Sequence, residues 1–159
     1  MSNSKVWVYQ ADRVLNANEE NAIQQEVDAF LADWKAHGKG LYAEFEIRHH
    51  RFLILKVDER FQGATGCSID KSVHFFKQLG QAYGIELFDR HQFAYEYNGQ
   101  VFSDRLTNLN NLVQQGYLTD RTVVYNNLVG TLEELEDQFR IPFGQSWHRR
   151  MVKPAMLQH

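Results

Sequence analysis

Leu41-Tyr42-Ala43-Glu44-Phe45-Glu46-Ile47-Arg48, then His49-His50-Arg51, then Phe52-Leu53-Ile54-Leu55-Lys56-Val57 is the stretch on which the reading of this chain turns. In the first eight residues Leu41, Ala43, Phe45 and Ile47 alternate with polar or amphipathic neighbours, the period of a strand with one buried face. The apolar run from Phe52 to Val57 predicts a second strand, and the polar triplet between them predicts the turn.

Upstream, Lys5-Val6-Trp7-Val8-Tyr9 is dense in β-branched and aromatic residues and predicts a first strand. Asn16 with Glu19 three residues later forms a capping-box signature. Behind it Ile23, Val27, Phe30, Leu31 and Trp34 recur at helical spacing, so a helix runs to about His37, where Gly38-Lys39-Gly40 stops it. Downstream, a loop from Asp58 to Thr65 leads into a helix opened by Gly66-Cys67-Ser68-Ile69-Asp70-Lys71-Ser72. Ile69, Val73, Phe76, Gly80 and Tyr83 form its stripe, and Gly84 ends it. Gln92 to Phe102 predicts a hairpin, with Asn98-Gly99 as its two-residue turn. Leu106, Leu109, Leu112 and Val113 predict a short helix ending near Gly116, and Thr122 to Tyr125 a short strand. Thr131 with Glu134 caps a further helix through Phe139, with Pro142 as its stop and Trp147 as an anchor for the last segment.

The order β-α-β-β-α-β over residues 5–98 is that of a split β-α-β, ferredoxin-like plait. The expectation is therefore an α+β fold in a single domain spanning 1–159: a plait core over 5–98 and a C-terminal extension, 99–159, of a hairpin and short helices. Hydrophobic residues at 43%, with 13% aromatic, suffice for such a core. No apolar run approaches the roughly 20 residues of a membrane span. Residues 1–5 lack the apolar core of a signal peptide, and a lone cysteine provides no disulfide framework, which together point to the cytoplasm. A net charge of −3 argues against a nucleic-acid binder. His148-Arg149-Arg150 reads as a solvated helix end.

The plait filters the candidate sites. It brings the end of strand one, the 49–51 turn and the start of strand four to one edge, which collects Gln10, Asp12, Arg13, Arg48, His49, His50, Arg51, Asp89, Arg90 and His91. Arg13, Arg48 and Arg90 would present fork-shaped charge to an anionic small molecule, His49 a proton donor, and Asp12 and Asp89 would hold the arginines in place. Strands of about seven residues at ~3.3 Å each put Cys67 some 20 Å away, too far to pair with His49. Gly66, Cys67, Ser68 and Asp70 form a second candidate site, where a thiol at a helix N-terminus would be activated. Asp70 and His74, four residues apart, suit an ion pair. Adjacent histidines point in opposite directions, so His49 and His50 make a poor metal site, and none is assigned. No cofactor is assigned either. His49, Cys67 and Asp70 are the catalytic candidates.

Gly66 to Lys71-Ser72 imitates a phosphate-binding loop, but Asp70 stands where that loop needs glycine, and its carboxylate would repel phosphate. Ser68-x-x-Lys71 matches a serine–lysine signature whose Lys-Thr-Gly partner is absent. Tyr125-Asn126-Asn127 reads as turn and cap chemistry.

Tyr9-Gln10-Ala11-Asp12-Arg13, Phe45 to His49, Gly66 to Asp70, Phe88-Asp89-Arg90 and Tyr125 to Val129 resemble the motifs of an uncharacterised family of small bacterial proteins, over nearly the whole chain to the Trp147–Arg150 region. Members are often labelled "ABC transporter ATPase". The resemblance implies that these motif residues matter without naming an activity. In the family's pattern a small polar residue replaces Lys71. Nucleotide hydrolysis is not expected, since the phosphate loop fails and no Walker B segment is evident. The expected function is binding of an anionic small molecule at the Arg/His/Asp edge. The alternatives are a protein-interaction or regulatory module forming a homodimer, and thiol chemistry at Cys67.

Overall fold

The computed structural model describes residues 4–37, 42–58 and 66–153; the side chains of 37 and of 66–68 lie outside the description. The elements are β1 (Ser4–Gln10), α1 (Ala17–His37), β2 (Tyr42–Arg48), β3 (Phe52–Asp58), α2 (Gly66–Tyr83), β4 (Gln92–Tyr97), β5 (Gln100–Arg105), α3 (Leu109–Gln114), β6 (Val123–Tyr125), α4 (Leu132–Gln138) and β7 (Arg140–Pro142). A 3-10 turn at Leu106–Asn108 leads into α3, and two more, Phe143–Gln145 and Trp147–Met151, follow β7. No helix among the described residues is long and apolar enough to cross a membrane.

Local chemistry sets most of the boundaries. Asn16 and Glu19 close a reciprocal capping box, Glu19 N donating to Asn16 Oδ1 at 2.8 Å and Asn16 N to Glu19 Oε1 at 3.0 Å. Gly84 ends α2 with φ of 63°, and Asn98 and Gly99 turn the β4–β5 hairpin with φ of 51° and 76°, the two left-handed residues of a type I′ turn. The second box uses its glutamate differently from the first. Thr131 Oγ1 accepts from Glu134 N, while the Glu134 carboxylate reaches past Thr131 to Gly130 N.

The first sheet has the order β1-β3-β2 with both pairings antiparallel. One face, carrying Tyr9, Ala43, Leu53, Leu55 and Val57, packs on Ile23, Val27, Leu31 and Trp34 of α1 and on Phe76 and Leu79 of α2. Phe30 of α1 stacks on Phe75 of α2 at 4.3 Å. The other face places Val6, Phe52 and Ile54 against Ala94 and Tyr125 of a second sheet and Leu135 and Phe139 around α4. β3 is thus covered on both sides, which explains its unbroken apolar run. The outer face of the second sheet packs Phe93, Tyr95 and Val124 on Leu109, Leu112, Leu118 and Phe143.

The fold is α+β with two antiparallel sheets, and this corrects one expectation. In a split β-α-β plait the fourth strand would line the free edge of β1. Here β4 lies in the second sheet, ordered β5-β4-β6-β7, and β1 meets instead the 130–131 segment, through a Lys5–Thr131 bridge and Val6 N donating to Gly130 O at 3.0 Å. The apolar pattern of β4 marks a strand buried on both faces but does not specify which edge it pairs with. The region beyond Pro142 differs too. α4 stops at Gln138 without help from proline, and Arg140–Pro142 form an edge strand, where the missing N–H of Pro142 can be tolerated.

Candidate functional site

The 49–51 turn stands between the two layers that cover the first sheet. His49 and His50 both occupy the left-handed region, with φ of 53° and 60°, a conformation costing a non-glycine residue about 1–2 kcal/mol. Tertiary bonds hold them there. Ala11 N donates to Arg51 O and Leu15 N to His50 O, both at 2.7 Å. His50 Nδ1 lies 3.0 Å from Glu20 of α1, while His49 Nε2 lies 3.3 Å from the Tyr125 hydroxyl of the second sheet.

On the inter-sheet side, Tyr125 has no exposed surface and donates its hydroxyl proton to Glu96 Oε1 at 2.6 Å. That proton being used, His49 must donate from Nε2 to the Tyr125 oxygen, leaving Nδ1 as the free basic nitrogen. Arg140 grips Glu96 with Nε and Nη2 at 2.8 and 2.7 Å. The Arg140 bonds hold the Glu96 carboxyl below its ordinary range, and burial, reinforced by Glu96, raises Tyr125 above its own. Burial lowers His49, against the opposing pull of Glu96. Arg48 pairs with Glu46, which Lys56 shares, and its guanidinium lies 6.0 Å from the Phe139 ring.

Arg51 is the exception. It is 4% exposed, and the single hydrogen bond of its side chain among the described residues, Nη2 to Val101 O, is long at 3.4 Å. Nε and Nη1 have no partner, and no carboxylate among the described residues neutralises it. Burial alone depresses its pKa. Gln10, on the same sheet face as Phe52, accepts from Asn127 Nδ2 at 2.7 Å, yet Gln10 Nε2 and Asn127 Oδ1 also lack partners.

The expected edge exists as a neighbourhood but does not converge on one point. Arg13 faces the helix layer, where Glu19 takes both its terminal nitrogens, at 2.9 and 2.6 Å, and the Tyr83 carbonyl accepts at 2.8 Å. Asp12 holds no arginine; it accepts from Glu86 N at 3.0 Å. Asp89 accepts from His91 N and pairs with Arg105, not Arg90, which is exposed. Arg48 belongs to the opposite face of the sheet from Arg13. At the other end of β3, the side chains of Gly66, Cys67 and Ser68 lie outside the described residues, so the thiol has no structural account. Asp70 and His74 are both exposed and no hydrogen bond or ion pair joins them. Among the described residues no three His, Cys, Asp or Glu group as metal ligands would.

Glu96 and Arg140 escaped the sequence reading, which placed Gln10 and Arg51 at the shared edge without a role and took Tyr125 for turn and cap chemistry. Tyr125-Asn126-Asn127 does contain cap chemistry, Asn126 accepting from Leu128 N and from Trp147 Nε1. Its flanking residues instead reach the first sheet, and only the pairing of β6 with β4 puts them there.

No protein-family model, curated protein or solved structure matches the chain. The class defined here is therefore one of architecture, an α+β domain with a polar cluster between two antiparallel sheets.

Proposed function

We propose that this protein is a small-molecule binding domain that takes an anionic group, carboxylate or phosphate, between its sheets at the 49–51 turn. The observation that carries the reading is the buried Arg51 guanidinium, with two unbonded nitrogens and no counter-charge among the described residues. An uncompensated buried charge costs several kcal/mol, and an anion bridging the free nitrogens would remove that cost with the bidentate geometry guanidinium favours. His49, from the same turn, offers a basic Nδ1 for a proton on the ligand. The ferredoxin-like reading survives as a description of the first sheet with α1 and α2, a plait without its fourth strand. The earlier site set contracts to Arg48 and His49 and gains Arg51. Arg13, Asp12 and Asp89 are left out because each is engaged elsewhere, and Arg90 because it is exposed away from Asp89.

The test is a thermal-shift and calorimetric screen against inorganic phosphate, phosphorylated metabolites and small carboxylates. A ligand at 100 times its Kd stabilises by ~2.7 kcal/mol, which moves Tm by several degrees. A hit abolished in Arg51→Met and retained in Arg13→Met is the expected result. A hit indifferent to Arg51, or silence across the panel, overturns the proposal.

A second reading, homodimerisation, has one observation in its favour. β5 is an edge strand paired in regular register with no proline or lysine to guard it, and Tyr97, Phe102 and Tyr117 around it are each about 40% exposed. Light scattering that finds a dimer, dissociated by Phe102→Lys, would favour it. A monomer at all concentrations removes it.

A further inference from the structure

A separate cavity of about 510 Å³ opens on the helix side of the first sheet, between the C-terminal half of α2 and residues 84–88, with Asp12 at its rim. That volume lies within the 300–1,000 Å³ of ordinary small-molecule sites. Phe76, Ile85 and Leu87 are buried and present little surface to it, so the lining is about half polar and its accessible aromatic surface is the half-buried Phe88. The aromatic part is rigid, because the Tyr9 ring packs on both Phe76 and Phe88, with centroids at 4.7 and 5.1 Å.

Around this floor stand three charged groups whose bonding capacity is only partly used. Asp12 spends Oδ1 on Glu86 N, and Glu86 spends Oε1 on Phe88 N at 2.8 Å; these bonds shape the loop and leave Asp12 Oδ2 and Glu86 Oε2 free. Lys77 rests its ammonium 5.6 Å from the Phe88 ring centroid and has no ion pair among the described residues. A cation and two half-used carboxylates around one hollow that exposes the Phe88 ring complement a ligand carrying both charges and an apolar body.

We propose that this cavity binds a free α-amino acid with a large apolar side chain. Its carboxylate pairs with Lys77, its ammonium with Asp12 Oδ2 and Glu86 Oε2, and its side chain lies on the half-buried Phe88 ring. The site is distinct from the anion site at Arg51, on the other face of the sheet.

The test is calorimetry on the full chain with L-phenylalanine and L-leucine, their methyl esters, which lack the carboxylate, and their N-acetyl forms, which lack the ammonium. Each capped form is expected to bind at least about tenfold more weakly than the free amino acid, the loss of one charge-assisted contact. Lys77→Met should abolish discrimination against the ester and Glu86→Gln should reduce that against the N-acetyl form. Gln81→Trp, a substitution at an exposed position lining the cavity, should block binding in a chain that still folds, while Arg51→Met should leave it unchanged. No heat from either amino acid, equal binding of the capped forms, or indifference to both Lys77→Met and Gln81→Trp overturns the assignment.

Discussion

The two faces of the first sheet solve the same packing problem differently. The helix-covered face places Leu53, Leu55 and Val57 under α1 and α2, and its charges stay at the rim with partners, Arg13 on Glu19 and His50 on Glu20. The polar atoms it leaves buried and unpartnered are neutral, the Tyr9 hydroxyl, whose pKa burial raises to about 12, and the Trp34 indole N–H. The sheet-covered face also packs aromatic groups, Phe52 lying 4.9 Å from Tyr125 and 5.1 Å from Phe139, but it draws a guanidinium and two amides inside without satisfying them. Helices seal a sheet with side chains alone. A second sheet brings its own turns and strand ends to the interface, and their polar groups with them. The difference indicates where to look for chemistry: rim charges that neutralise one another hold structure, whereas a buried charge without a partner is available to a ligand.

The largest effect should come from the packing that the two faces share. Phe52 is fully buried between the sheets and Phe76 under the helices. Either residue changed to Ala should cost about 3–5 kcal/mol in chemical denaturation. A much smaller loss at Phe52 would mean that the sheet-to-sheet contact carries little of the stability, and the comparison would fail.

Burial of an ionisable group beyond the first sheet provides the next measurement. His148, 1% exposed and stacked on Trp147 at 3.8 Å, has its pKa pushed down to about 4 by burial. Its native pKa lies below the unfolded value, so the unfolded chain binds more protons between the two. Stability is then complete above about pH 6.5 and lost as pH falls toward 4, by on the order of 3 kcal/mol. Urea midpoints measured across that range should fall with acid, and His148→Phe should flatten the slope; an unchanged slope would place the acid sensitivity elsewhere.

Arg51→Met is the sharpest contrast. Replacing an uncompensated buried cation by an apolar side chain of similar length should raise stability without ligand, by about 1–3 kcal/mol, while removing anion binding. Destabilisation would show that Arg51 is structural. At the small end, Arg13→Met removes a rim ion pair from a side chain 41% exposed and should cost no more than about 1 kcal/mol, a loss that salt reduces. A cost well above that would erase the distinction between the faces.

Much of the local structure was legible in order. Alternation in β2, the Asn16–Glu19 box and the Asn98–Gly99 turn act within a few residues, and each appears where its pattern placed it. The site was legible only in part. His49 stood out as a turn residue beside charges, but Arg13 and Arg48 were grouped because a shared sheet end hides which face a side chain takes once the chain leaves the strand. Glu96, Tyr125 and Arg140 are 29 and 15 residues apart in turn and have no local signature. Their cluster forms because β4 pairs with β6 and β6 with β7.

The sequence by itself determined most of the described strands, helices, caps and turns, though not the edge strand β7, together with the α+β class and the presence of a polar turn between β2 and β3, since periodicity, capping and left-handed turn preferences operate at short range. Only the tertiary structure decided that β4 leaves the first sheet, that His49 and His50 serve different layers, and that Arg51 is enclosed without a counter-charge among the described residues. Edge pairing and burial depend on which surfaces remain uncovered when the whole chain is packed, and no local pattern carries that information.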